Sequence, residues 1–286
     1  MNYALWKKAA NEAKWLLLGS ATLLFAFLWL RVWLTSQLSL SRLRIILNLL
    51  PEQWERLSPV PFEQIATASG RIAIGYDEPI VLLVLTVWGI GRGSDVVSGE
   101  LGRGTMEMLL AQPVRRTTVL WSHAAVTLLG AAALAAAAWL GTYVGLSTVE
   151  LEEPVSARLF LPAAVNLFAL AAFLAGISTL ASSFQRDRWA TIGLVGAFYA
   201  VEIIFKVVGR AAPNFSWLVY LSAFTAFEPQ VLVGDQVRAW TFWVPQSGGG
   251  FVLGGWGYHG ALLALAAVCY ALATWIFCRR DLPAPL

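Results

Sequence analysis

One stretch of the chain gathers residue types suited to docking against another surface: SDVVSGELGRGTMEMLLAQPVRRTTVL, residues 94–120. Gly102 and Gly104 permit a turn. After it, Thr105 is placed to cap a short helix, and Glu107 falls in the first turn, where negative charge is favoured. Met106, Leu109 and Leu110 recur at helical spacing and predict an apolar knob, and Gln112-Pro113 ends the helix. Arg115 and Arg116 follow as a basic boundary. A small apolar knob on an otherwise polar segment needs a groove to bury it, which points to a partner; the alternative is a helix that packs on the membrane surface.

Other reactive residue types are sparse and lie in apolar surroundings. Glu202 and Lys206 stand at i, i+4 with Glu first, the favourable order, and Arg92 and Asp95 stand at i, i+3. Ionisable residues in apolar runs are costly and are functional candidates by default. Glu202 and Lys206 either line a pathway or neutralise each other while Lys206 reaches outward, as Arg31 is expected to do. His123 and His259 each sit beside the end of an apolar run without a second ligand in sequence, so no metal site is expected. Cys269 and Cys278 lie nine residues apart and give neither a disulfide framework nor a metal pattern. The Gly-rich run GIGRGS at 89–94 lacks the Lys of a phosphate loop. No G-x-x-x-x-G-K-[ST] occurs elsewhere in the chain, so no catalytic or ATP-binding role is expected of it.

The elements that position these residues follow from composition. Hydrophobic residues make up 58% of 286 and charged residues 13%, whereas soluble domains carry roughly a quarter charged residues. So little charge cannot cover a water-exposed surface, and no Lys/Arg-rich run suggests nucleic acid. The fourteen Trp suit a membrane–water boundary. A membrane-crossing helix needs roughly 20 mostly apolar residues, and six segments qualify, at about 15–34, 79–97, 119–146, 159–183, 189–209 and 260–278. The expected fold is an all-α polytopic membrane protein, one transmembrane domain over 1–286.

Orientation comes from the short loops. The link 147–158 holds Glu150, Glu152 and Glu153 against Arg158, whereas the link near 185 holds Arg186 and Arg188. Positive charge favours the cytoplasmic side, so both termini are expected inside. Residues 1–14 alternate an apolar face (Leu5, Trp6, Ala9, Ala10, Ala13) with a polar one (Lys7, Lys8, Asn11, Glu12, Lys14), predicting an interfacial helix or a helical extension of the first span. Of the two long outer loops, 35–78 has helical periodicity around Leu40–Leu57, then turn signals at Pro59 and Pro61. The loop 210–258 predicts short helices dipping into the outer leaflet and a flexible turn at Ser247–Gly250.

The stretch Glu100-…-Gly104-Thr105-Met106-Glu107-Met108-Leu109-Leu110-…-Pro113-Val114-Arg115-Arg116 resembles the E…GTxExLLxxPxxR signature of type-2 ABC transporter permeases. In that family the segment follows the second span and forms the coupling helix that docks on the ATPase subunit. The likeness extends to the N-terminal helix, six spans, both ends inside and a long final outer loop. The resemblance implies a permease subunit, in character an exporter, with ATP and magnesium bound by a separate ATPase. It also implies a second permease, identical or related, to complete a pathway. A bacterial inner membrane is the expected location.

Three other classes compete. An ion-coupled secondary transporter would show inverted repeats and several midplane charges, and neither is evident. A non-transporting membrane assembly subunit would share the same sequence features and stays open. Glu152-Glu153 and Arg158 are similar to the EExxxR motif of CAAX-type intramembrane proteases, but four residues intervene, the site lies in an outer loop, and the later spans lack interior His.

Overall fold

A computed structural model describes residues 3–37, 58–245 and 251–280. Six helices are long and apolar enough to cross a membrane: Tyr3–Gln37, Ala68–Gly102, Arg116–Thr148, Ala157–Phe184, Arg188–Ala211 and Gly255–Arg279. The last four match the expected spans to within a few residues. The first two begin earlier, each for its own reason. The N-terminal amphipathic stretch is helical without a break into the first span, so it is an extension and not a separate interfacial helix. Its apolar face is used, with Leu5, Ala9 and Ala13 buried one turn apart. The second span gains a lead-in helix, Ala68–Ile74, capped by the Thr67 side chain, before Pro79 opens the main helix.

The fourth span is the centre of the bundle. About 78% of its most apolar stretch is buried, against 17% for the fifth span, which is peripheral. The second, third, fifth and sixth spans all pack on the fourth, and the first packs on the third. Small residues set these approaches. A Cβ on Gly93 would lie 2.6 Å from the Ser178 Cβ, so the second and fourth spans meet almost backbone to backbone. A Cβ on Gly141 would collide with the Phe25 carbonyl, which fixes the third span against the first.

Hydrogen bonds and ion pairs separate the two ends of the bundle. At one end, Lys8 meets Glu100, and Arg280 donates to the Ser183 carbonyl at 3.0 Å; Ser98 bonds Ser182 there, so the start of the first helix and the end of the last lie at the same end of the bundle. At the other end, Arg31 pairs with Glu78 at 3.0 Å instead of only reaching outward, and the buried Tyr76 and Thr142 hydroxyls bond at 2.8 Å.

The loop after the fifth span folds back over that second end. It forms 3₁₀ turns at Pro213–Tyr220 and Ala223–Ala226, short helices at Pro229–Gly234 and Gln236–Ala239, and then an antiparallel strand pair, Trp243–Pro245 with Phe251–Leu253. The short helices agree with the Pro spacing. The strands were not anticipated, because three residues give no alternation to read. Asn166 of the fourth span pins this loop, donating to the Ala226 carbonyl at 3.0 Å and accepting from the Glu228 N–H at 3.0 Å. The helical periodicity at Leu40–Leu57 and the turn at Ser247–Gly250 lie outside the described residues, apart from the loop's flanks.

Candidate functional site

The site begins with a break in the second span. Its α-helix runs from Pro79 to Ser94 and gives way to a π turn at Asp95–Gly99. Such turns free backbone groups and often mark functional positions. Here the Ser94 carbonyl accepts from the Ser98 hydroxyl at 2.8 Å and from Ser182 at 3.1 Å. The Ser182 oxygen in turn accepts from the Ser98 N–H at 2.8 Å and the Val97 N–H at 3.2 Å. Thr191 of the fifth span donates to the Ser98 hydroxyl at 2.9 Å. Three spans are thereby joined through buried hydroxyls.

The π turn aims Asp95 and Glu100, both buried, at a group of cations. Asp95 pairs with Arg103 at 2.7 Å, Arg188 at 3.3 Å and Arg92 at 3.9 Å. The expected Arg92–Asp95 pair therefore exists but is the longest of the three. Arg92 itself reaches the Ala9 carbonyl at 3.2 Å and the His123 ring at 3.3 Å. Glu100 meets Lys8 at 2.8 Å and Arg103 at 2.9 Å. The hydrogen bond that Arg103 donates to Asp95 is the main reason the Arg103 guanidinium's pKa lies above the ordinary value.

Gly104, at φ +69°, makes the reversal that follows, in a region a side chain would disfavour. Thr105 sits next, and here the structure corrects the expectation. Its side chain does not cap the short helix but donates to the Glu100 carboxylate, while its N–H donates to the Glu100 carbonyl at 3.0 Å. Glu100 thus closes the turn itself.

The short helix is Met106–Leu110. The knob read from the 3–4 spacing is turned partly inward. Met106 is fully buried among Val96, Val97, Leu120, Ala124 and Phe277, and Leu110 packs at the edge of that cluster. Leu109 is half-buried, whereas Glu107, Met108 and the Ala111–Pro113 turn are exposed, Met108 by 64%. The outward apolar residue is therefore Met108, in the same helix but on the opposite face. Arg115 is exposed, and Arg116 donates to the Phe277 carbonyl at 3.1 Å, tying the third span to the end of the sixth.

The second expected pair is not made. Lys206 turns from Glu202 to Glu228, at 3.1 Å, and donates to the Phe227 carbonyl at 2.7 Å. Glu202 accepts from the Ser222 hydroxyl at 2.9 Å. Both side chains are drawn to the loop that covers the fifth span, which an i, i+4 argument within one helix cannot foresee.

His123 also differs from expectation. It is buried, with Glu12 at 3.7 Å, and one donor atom each from Glu12, Asp95 and His123 lie within 4.8 Å of one another. Arg92, Arg103 and Arg188 already surround Asp95, and their charge opposes a metal cation there. Lys8, Glu12, Arg103 and Arg188 join the site without having been singled out. In the sequence Lys8 and Glu12 read only as the polar face of the N-terminal helix and Arg188 as a loop charge, and a pairing such as Lys8 with Glu100, 92 residues apart, leaves no local pattern.

Compared with known proteins, the sequence matches the family model described as ABC-2 family transporter protein over residues 8–282. No curated protein matches it.

Proposed function

Because the chain belongs to the ABC-2 family of transporter proteins, and so supplies the membrane-spanning permease part of an ABC transporter, we propose that it is the exporting permease of a complex powered by a separate ATPase subunit. In this reading Met106–Leu110 is the coupling helix, both termini face the cytoplasm, and a second permease completes the pathway. ATP and magnesium bind the ATPase, and their closure presses on the exposed face of the short helix.

The observation that carries the reading is the wiring behind that helix. Glu100 and Asp95 connect the turn before it to the first span through Lys8, and to the fifth through Arg188. Met106 connects it to the third and sixth spans through Leu120 and Phe277. A push on Glu107 and Met108 therefore reaches four spans through short, buried contacts, which is what a mechanical coupler requires. A solvated loop would lack such anchors.

The test needs no knowledge of the cargo. With Cys269 and Cys278 replaced by Ser, Leu82→Cys reports access to the far half of the second span through maleimide labelling. In the complex with its ATPase, trapping with ATP and vanadate should change labelling about tenfold, the scale of a typical coupling free energy. Glu107→Arg or Leu109→Asp should abolish that change while the chain stays folded in the membrane. An unchanged response in both variants would overturn the assignment.

A further inference from the structure

Beside the ion pairs of the second span lies a cavity of about 380 Å³, whose walls include Arg92, Arg103 and Arg188 with Glu12, Asp95 and Leu16. We propose that this cavity binds a phosphate group, in the first instance the headgroup phosphate of an anionic lipid.

Charge is the first argument. Four cations, Lys8, Arg92, Arg103 and Arg188, share three carboxylates, Glu12, Asp95 and Glu100. The cluster holds one more positive than negative group, so an anion lowers its energy and a cation raises it.

Donor geometry is the second. The Arg92 side chain is 5% exposed, yet its Nε–H has no acceptor among the described residues. A buried guanidinium donor left without an acceptor is costly, and Arg92 adds its positive charge to the cavity wall. Arg103 and Arg188 stand at the same cavity with side chains 42% and 40% exposed, open to an entering group.

Height in the membrane is the third argument, and it selects a lipid. Leu16 of the cavity wall is preceded by Trp15, 75% exposed, and Arg188 is followed by Trp189, 78% exposed. Exposed Trp on spans settles at the headgroup level, so two independent spans place the cavity there. A lipid phosphate can enter from the side while its chains remain beside Leu16. Such a lipid would add a ligand to the charges that hold the turn before the short helix. The inference does not depend on which leaflet this end faces, nor on the ATPase.

The experiment is native mass spectrometry of the full chain, purified in detergent and offered equal phosphatidylglycerol and phosphatidylcholine. The wild type should retain phosphatidylglycerol about fivefold over phosphatidylcholine, the effect expected of one interfacial Arg. Arg188→Gln should bring the ratio to parity, and Arg186→Gln, an exposed charge two residues away, should leave it unchanged. Should Arg188→Gln fail to fold, Arg188→Lys, which keeps the charge but loses the planar fork, should give an intermediate ratio. Millimolar inorganic phosphate separates the sources. Retention that survives it assigns the site to the lipid headgroup. No lipid preference, with phosphate raising the unfolding temperature of the wild type but not of Arg188→Gln, assigns it to free phosphate. No preference and no phosphate effect, or equal loss in Arg186→Gln, overturns the proposal.

Discussion

At the end of the bundle that carries the short helix, Asp95 and Glu100 face Lys8, Arg92, Arg103 and Arg188, whereas at the opposite end Glu228 is, among the described residues, the carboxylate that contacts Lys206 and Arg210. The first cluster draws on the first, second and fifth spans and leans positive. The second joins the fifth span to a loop and is balanced once Asp77 is included, since Asp77 shares with Lys206 and Arg210 a cavity of about 340 Å³. Both bury charge, and burying charge is tolerated only with partners. The difference is in what the partners connect. The first cluster links three spans of the helix bundle to the turn before the short helix; the second fastens a cover.

If that contrast holds, removing Asp95 should do the most damage. Asp95→Ala leaves three guanidiniums without their shared carboxylate, and breaking a buried pair of this kind costs about 3–5 kcal/mol. Thermal unfolding in detergent should show the largest drop of any single charge removal. Glu228→Gln should cost less, about 1.5–3 kcal/mol for lost charged hydrogen bonds, because Asp77 remains near Lys206 and Arg210. A larger loss at Glu228 than at Asp95 would reverse the comparison.

Glu202 sharpens it. Were Glu202 and Lys206 a pair, the double variant would recover part of the loss from Glu202→Ala. Since Glu202 bonds Ser222 and Lys206 bonds Glu228, the two losses should instead add to within about 0.5 kcal/mol. Rescue in the double variant would restore the helix-local pairing. The smallest effect expected is Gly104→Ala, about 1 kcal/mol for a side chain in the left-handed region, and it should loosen the turn without disturbing the far end.

The spans were legible because hydropathy acts on whole runs of residues, and a run such as 159–183 leaves no other solution in a membrane. The start of the first helix was less so, since Lys7, Lys8 and Glu12 read equally as an interfacial helix or an extension. The π turn at Asp95–Gly99 was illegible: one extra residue in a turn changes no composition, and Ser182, which stabilises it, is 84 residues from Ser98. The motif from Glu100 to Arg116 marked the candidate site in the sequence, but its outward face did not follow from spacing. Met106 and Met108 are both apolar, and only packing against Val97 and Phe277 decides which one turns inward.

In the proposed complex the exposed face of Met106–Leu110 docks an ATPase subunit. The most direct measurement is co-purification in detergent of the full chain with the ATPase encoded nearest to it, comparing wild type with Met108→Asp, since Met108 is the exposed apolar residue of that helix. The wild type should retain the ATPase, and Met108→Asp should lose it while the permease remains folded. Retention unaffected by Met108→Asp, or no ATPase on the wild type, would contradict that docking.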